Sequence, residues 1–452
     1  MRPGVHRVLL GVLSVFVILA LVAALLVLVP TRTRVIAAAV EADSGLIERG
    51  RYLAVASDCT ACHTARNGAP FAGGLPIASP IGVIFSTNIT PDRETGIGAY
   101  SLADFDRAVR HGIAPRNKTL YPAMPYPSYA HMTDPDIVAL YAFFMHSVSP
   151  VRAQNRRDEI SWPLSMRWPL TIWRKTFAPN PDSVAFDAAR YRDPIVARGA
   201  YLVQGPGHCG SCHTPRALTL QEKALNDTGA SYLDGGQVID GWLAVNLRGN
   251  PADGLGGWST EQIIDTLRSA RDPEHAVIGD AMSDVVVHSS QYLNDADLLA
   301  VASYLKTLAP DAHPASSFAA DPTTARALAA GDEADRGAQL YDDSCAACHH
   351  SDGRGATRAL PAIAGNSSVL AADPTSIIRL ILQGSQLPGT AAAPSPLGMP
   401  GFGWRLSDQE VAELGTFIRQ SWGNHAPTIN VEQVYHLRQT LARSPMDSPP
   451  RQ

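Results

Sequence analysis

All six cysteines of this chain fall into three copies of one spacing, and a histidine follows each copy at once. The copies are Cys59-Thr-Ala-Cys62-His63, Cys209-Gly-Ser-Cys212-His213 and Cys345-Ala-Ala-Cys348-His349. No cysteine is left over for a structural disulfide. Thiols at i and i+3 share one face of a helical turn, so both sulfurs of a copy can meet the same edge of a bound group. A zinc cage needs four ligands, normally from two such pairs lying close together; here successive pairs are about 150 and 136 residues apart. A thioredoxin-like dithiol needs no following histidine and expects a βαβ setting. What remains is covalent haem attachment, with two thiols on the vinyl edge of the porphyrin and the imidazole on the iron. The spacing therefore predicts three haem c groups, held by Cys59 and Cys62, Cys209 and Cys212, and Cys345 and Cys348. His63, His213 and His349 are the expected proximal iron ligands.

The surroundings of the motifs repeat as well. "ERGRYLAVASDCTACHT", "ARGAYLVQGPGHCGSCHT" and "DRGAQLYDDSCAACHH" each carry an Arg-Gly pair 10, 11 and 9 residues before the first cysteine. Each copy closes on an amphipathic helical pattern containing an aromatic: "TDPDIVALYAFFMHSV" with Tyr141, "NDADLLAVASYLKTL" with Tyr304 and "SDQEVAELGTFIRQSW" with Phe417. Thr133 with Asp136 and Asn294 with Asp297 approximate a capping box, and Ser407 with Glu410 matches one. The upstream glycine is expected to let the closing helix cross closely, with its aromatic against the first helix. Units this long are domains rather than solenoid repeats, and 452 residues accommodate about three. The expected organisation is mainly α: a segment 1–40, domains at 45–150, 186–312 and 331–425, linkers at 151–185 and 313–330, and a tail at 426–452.

Methionine or histidine can complete the iron coordination. Met282 is the only methionine of the second domain and Met399 the only one of the third. The first offers Met124, Met132 and Met145. Met124, flanked by prolines in "LYPAMPYPSY", matches the Met-Pro of Met399 and is the expected ligand. Distal histidine is the alternative, through His131 or His111 in the first domain and His275 or His288 in the second. Asn88-Ile-Thr-Pro-Asp92 and Leu243-Ala-Val-Asn246 carry groups able to bond haem propionates, or to act as turn and cap residues. Arg110, Arg216 and Arg354 are further propionate candidates. Pro361 is placed to orient His349 through its carbonyl.

Val8–Val29 holds no charged residue over 22 positions, about 33 Å as a helix against a bilayer core of about 30 Å. An uncleaved membrane anchor is expected, with a long signal peptide cut near Ala37–Ala39 as the alternative. A net charge of −5 gives no footprint for nucleic acid. No flavin fingerprint, molybdenum site, nucleophile triad or paired carboxylate stands out, so substrate oxidation is assigned to a partner.

"RGRYLAVASDCTACHTA", "STNITPDRETGIG", "LYPAMPY", "GHCGSCHTPR", "GMPGFGW" and "IRQSWGN" together resemble the tri-haem cytochrome c subunit of bacterial membrane-bound alcohol and gluconate dehydrogenases, over nearly the whole chain. The resemblance implies three class I cytochrome c folds in series on the periplasmic face of the inner membrane. It implies a quinoprotein or flavoprotein dehydrogenase partner and electron delivery to ubiquinone. On that pattern Met124, Met282 and Met399 match the distal ligands. Two positions depart from it: Tyr100 stands where tryptophan is common, and Val245 where proline often precedes the asparagine. The alternatives are a stand-alone anchored carrier to a terminal oxidase, the cytochrome of an aldehyde or molybdenum dehydrogenase, and a haem peroxidase.

Overall fold

The computed structural model describes residues 3–29, 43–239, 241–272, 281–312, 317–333 and 335–443, with the single positions 31, 33, 34, 36, 278 and 279. Ala37–Ala39 and His275 lie outside the described residues. The chain is mainly helical. It divides into two compact units, Met1–Ala54 with Cys62–Asp187, and Val55–Ala61 with Ala188–Gln452. The second and third cysteine motifs thus share one unit.

The first part of the chain runs through α1 (Pro3–Leu28), α2 (Ser44–Ala56), α3 (Cys59–His63), α4 (Leu102–His111), α5 (Tyr126–Tyr129), α6 (Asp134–His146) and α7 (Trp168–Phe177). Among the described residues no helix is long and apolar enough to cross a membrane; several side chains of α1 lie outside those residues. Strands β1 (Pro76–Ser79) and β2 (Gly82–Phe85) form a hairpin in the register Pro76↔Phe85 to Ser79↔Gly82. Two further short pieces, β3 (Ile113–Ala114) and β4 (Lys118–Thr119), pair with each other, and β5 (Glu159–Ile160) extends the β1–β2 sheet.

The rest of the chain contains α8 (Pro194–Gln204), α9 (Gly210–His213), α10 (Thr260–Ser269), α11 (Ala281–His288), α12 (Asp295–Thr307) and α13 (Thr323–Ala329). It continues through α14 (Arg336–Ser344), α15 (Ala346–His349), α16 (Ser367–Leu370), α17 (Thr375–Gln383), α18 (Asp408–Gln420) and α19 (Val431–Arg443). Two hairpins complete it, β6 (Val238–Ile239) with β7 (Trp242–Leu243), and β8 (Gly384–Leu387) with β9 (Leu397–Pro400).

One helix crossing recurs three times. A Cβ added to Gly50 would lie 1.9 Å from the Ala139 carbonyl oxygen and 2.7 Å from Phe143 Cβ. At Gly199 it would lie 1.9 Å from Ala300 O and 2.7 Å from Tyr304 Cβ, and at Gly337 2.7 Å from both Glu413 O and Phe417 Cβ. The glycine in α2, α8 and α14 therefore lets α6, α12 and α18 approach to backbone contact. Tyr304 and Phe417 are the aromatics expected there. In the first copy it is Phe143, not Tyr141: two residues along a helix is about 200° of rotation, so Tyr141 faces away, donating from its hydroxyl to Tyr100 O at 3.0 Å and packing edge-on against Phe105.

The arginine before each glycine bonds the acid three residues into the closing helix. Arg49 Nη2 lies 2.6 Å from Asp136 Oδ1, Arg198 makes two 2.8 Å bonds to the two Asp297 oxygens, and Arg336 Nη2 lies 2.7 Å from Glu410 Oε1. The Glu410 carboxylate thus serves its capping box and the crossing together. Hydrogen bonds from Arg336 and then from Ser407 hold the Glu410 carboxyl down to about 2. Ser407–Glu410 is a full capping box; the Asn294 side chain accepts from Asp297 N, and Thr133 makes no side-chain cap bond, with proline entering the first turn.

The segments assigned to linker and tail contribute structure. Leu328 of α13, and Val434 and Leu441 of α19, are buried in the same core as Tyr341, Leu414 and Ile378. Residues beyond 425 therefore complete the third helical cluster instead of trailing from it. Arg419, fully buried on α18, ties α19's approach to α16 by donating to Pro427 O (2.8 Å), Val369 O (3.0 Å) and Ala371 O (2.8 Å).

Candidate functional site

Each cysteine motif occupies one short helical turn set off from the helix before it. In the first two copies the break is a residue in left-handed backbone, Asp58 at φ 51° and His208 at φ 39°. In the third, Cys345 itself turns the chain at φ −123°. Both cysteines of the first motif stand on α3; in the second and third the first cysteine is the cap residue just before α9 or α15 and the second lies within that turn. The first thiol of each pair is the more covered one. Burial pushes the Cys209 and Cys345 thiols up to about 12, which describes apolar seats suited to thioethers.

The three histidines share one arrangement. His63 Nδ1 lies 2.7 Å from Thr87 O, His213 Nδ1 2.7 Å from Val245 O and His349 Nδ1 3.0 Å from Pro361 O. A backbone carbonyl only accepts, so Nδ1 carries the proton and Nε2 is left with its lone pair. Burial lowers the pKa of all three, favouring neutral imidazole. Neutral imidazole with an oriented Nε2 is the donor an iron ligand requires. Two thiols on one turn and one such imidazole make a donor set that fits covalent haem at each motif. The Pro361 role is as expected. Val245, standing where proline is common, accepts just as well because only its carbonyl is used.

A glycine clamps each acceptor. Gly73, Gly235 and Gly355 have φ of 71°, 71° and 62°. Their amides donate to the carbonyls of His63 (2.7 Å), His213 (2.7 Å) and His349 (3.1 Å). A Cβ on Gly73 would meet Thr87 C at 2.4 Å, on Gly235 Val245 C at 2.6 Å, and on Gly355 Pro361 O at 2.8 Å. Sequence reasoning did not single these out. The signal was present but weak: "GG" follows each of the first two motifs, 10 residues after His63 and 22 after His213, and left-handed φ with backbone contact admits no side chain.

The candidate distal residues sit in three settings. Met124 lies in the turn before α5, its amide donating to Tyr121 O at 3.2 Å. Met282 is the second residue of α11, and Met399 lies in β9 opposite Ser385. All three are half-buried, whereas Met132 is 2% exposed within the core. Segments around Met282 and Met399 adjoin: Ile278 and Leu397 pack with Ala270, Val286 and Leu387 in one small apolar cluster. Of the alternative ligands, His111 and His131 are buried, with His131 Nδ1 3.1 Å from Ser128 O; His288 is half-buried on α11.

The propionate candidates are committed elsewhere. Asn88 and Thr90 are 2% and 0% exposed, and both bond Val151 O, at 2.7 and 3.2 Å. Asn246 donates to Asp311 Oδ2 at 3.2 Å. Arg110 is buried against Asp106 and Asp134, and Arg216 spans Ser211 O and Leu220 O. Arg354 alone is exposed.

Helix-crossing units carrying Cys-x-x-Cys-His turns with carbonyl-oriented histidines define a c-type cytochrome. The Cytochrome c family model matches residues 334–422. The chain is 53% identical over 402 residues to the gluconate 2-dehydrogenase cytochrome c subunit of Pantoea cypripedii, covering 88% of this chain and 90% of that one. It is 51% identical to the cytochrome c subunit of the quinone alcohol dehydrogenase of Gluconacetobacter polyoxogenes, covering 89% and 86%. To the fructose dehydrogenase cytochrome subunit of Gluconobacter japonicus the identity is 36%, covering 87% and 82%. The chain belongs to this family of dehydrogenase cytochrome c subunits, electron-transfer proteins that carry covalently bound haem c.

Proposed function

We propose that this chain is the tri-haem subunit that takes electrons from a partner dehydrogenase and delivers them to ubiquinone at the periplasmic face of the bacterial inner membrane. The carrying observation is the threefold arrangement of His63, His213 and His349, each with Nδ1 bound to a carbonyl and each directly after a cysteine pair. In this reading the chain comprises three cytochrome c domains. Cys59 and Cys62, Cys209 and Cys212, and Cys345 and Cys348 hold the porphyrins, and Met124, Met282 and Met399 close the distal faces. Bound haem supplies one-electron redox chemistry. The chain's own residues fix the imidazole tautomer and cover the first thiol of each pair more than the second. The uncharged run Val8–Val29 in the sequence supports a membrane anchor in the N-terminal segment. The names of the relatives support a dehydrogenase partner acting on an alcohol, a sugar or a sugar acid, and a quinoprotein or flavoprotein is the partner proposed.

A pyridine haemochrome assay on the purified chain tests the count, with three haems per polypeptide expected; one or two would overturn the tri-haem reading. Co-purification from membranes tests the partner. A large dehydrogenase subunit that reduces the haems on addition of its substrate is expected, and isolation of the cytochrome alone with full activity toward a terminal oxidase would favour the stand-alone carrier.

A further inference from the structure

The carbonyls that receive the histidine Nδ1 protons are each pinned by chain lying just beyond a closing helix. In the first copy the Thr87–Asn88 peptide presents the acceptor. Asn88 N donates to Asn155 Oδ1 at 2.7 Å, and Asn88 Nδ2 donates to Val151 O at 2.7 Å and Thr95 Oγ1 at 3.0 Å. Asn88 Oδ1 accepts from Thr90 N at 2.9 Å, and Thr95 Oγ1 accepts from Ala153 N at 3.1 Å. Residues 151–155 directly follow α6. In the second copy the Val245–Asn246 peptide presents the acceptor. Asn246 Nδ2 donates to Asp311 Oδ2 at 3.2 Å, the same oxygen that accepts from Asn250 Nδ2 at 2.7 Å. Asp311 follows α12. In the third, Asn424, fully buried after α18, donates from Nδ2 to Ile363 O at 3.1 Å and accepts at Oδ1 from Gly365 N at 2.8 Å. Ile363 lies two residues beyond the acceptor Pro361.

Three unrelated local sequences thus build one device: an asparagine side chain that locks the acceptor loop to the segment leaving the closing helix. From this the geometry points to Asn88, Asn246 and Asn424 as positioning residues, acting through the Thr87, Val245 and Pro361 carbonyls to set how strongly each proximal imidazole donates to iron. The inference rests on the haem reading above. A firm Nδ1–H···O=C bond makes the imidazole more basic and favours the oxidised metal, and such outer partners change metal-site properties by about 10–100-fold. Releasing the latch weakens that bond, so the reduced state gains.

The latch also carries a consequence for the linkers. Because residues 151–155 open the first linker and residue 311 lies just before the second, the setting of the first two imidazoles is tied to how the chain leaving their closing helices is held.

The test is spectropotentiometric titration of the full, haem-loaded chain. Thr95→Val removes the Thr95 Oγ1 acceptor used by Asn88 Nδ2 and Ala153 N while keeping shape and leaving Val151 O in place, and Thr95→Ser restores it; Asn88→Ala removes the latch outright. Thr95→Val and Asn88→Ala are expected to move one of the haem components to higher potential by about tenfold in its reduction equilibrium, about 59 mV for one electron. The others stay in place, and Thr95→Ser returns the wild-type value. If haemochrome loading is full and no component moves, or if Thr95→Ser shifts as far as Thr95→Val, the latch is refuted while the haem reading stands. If Asn88→Ala fails to mature, the Thr95 pair decides. Absence of haem from the first motif in the unaltered chain would instead overturn the haem reading itself.

Discussion

Replacing Gly199 with alanine isolates the contribution of the close helix crossing. Alanine is the better helix former by about 1 kcal/mol, so propensity alone predicts a more stable protein. Geometry predicts the reverse. The added Cβ would stand 1.9 Å from the Ala300 carbonyl oxygen and 2.5 Å from its carbon, about 1.5 Å short of ordinary contact. Both obstructing atoms are backbone in the middle of α12, so no rotamer change relieves them. The helices must separate along a seam that buries Ala200, Leu202, Val203 and Tyr304. Overpacking of a well-filled core costs about 1–3 kcal/mol and occasionally more, and a rigid obstruction belongs at the upper end. Subtracting the propensity gain leaves a net loss of about 2 kcal/mol. For a unit of this size that is a fall of about 4–8 °C in Tm. Calorimetry of haem-loaded protein measures it. Gly337→Ala should cost less, since its nearest contact is 2.7 Å and α18 can yield more cheaply. A Gly199→Ala protein as stable as wild type, or more stable, would refute the argument that the repeated glycine exists for the crossing.

Met282→Ala should abolish part of the methionine–iron absorption band of the oxidised protein while leaving three haems attached; an undiminished band would refute that ligand. Glu222 is pushed up to about 7, first by burial, so the folded chain keeps a proton there that the unfolded chain gives up near 4.5. That contribution to stability is complete below about pH 4.5 and is lost as pH rises to about 7; Glu222→Gln should flatten the decline in denaturant titrations at pH 5 and 8. Arg419→Met should cost about 3 kcal/mol or more, because the carbonyls of Val369, Ala371 and Pro427 lose a buried charged donor, and it should show as a lowered unfolding midpoint.

The attachment chemistry was legible because it is local. Two thiols and an imidazole within five residues need no tertiary structure to be recognised, and a threefold repeat removes chance. The crossing helices were legible for the same reason, since glycine, aromatic and cap recur at helical spacing. The aromatic of the first copy was misjudged because "LYAFF" offers several rings and only the rotational phase against α2 selects Phe143. The carbonyl partners of His63 and His213 were hidden. Any residue has a carbonyl, and only Pro361 carried a side-chain clue. Asn88 and Asn246 were noticed but left between propionate binding and turn or cap roles, because their partners lie 63 to 67 residues away, for Asn88 in a segment read as linker and for Asn246 at the far end of its own domain. The role of α19 was missed for a related reason: a short amphipathic stretch beyond the last motif does not announce which core it completes.

The Arg-Gly crossing has a consequence for how the polypeptide must be made. α2, α8 and α14 present nearly the same address: arginine, then a bare backbone, seeking an acid and a ring on a closing helix. α6, α12 and α18 all answer it. Contact chemistry therefore does little to stop one copy's leading helix from docking on another's closing helix, and such misassembly is a characteristic failure of tandem repeats. What distinguishes right from wrong partners is order of appearance. Each of the first two closing helices emerges before the next Arg-Gly pair does, so delivery of the chain N-terminus first into the compartment where it folds lets every copy find its own partner while no competitor exists. Refolding the full-length chain from denaturant removes that advantage, and should yield mispaired species that vectorial synthesis avoids.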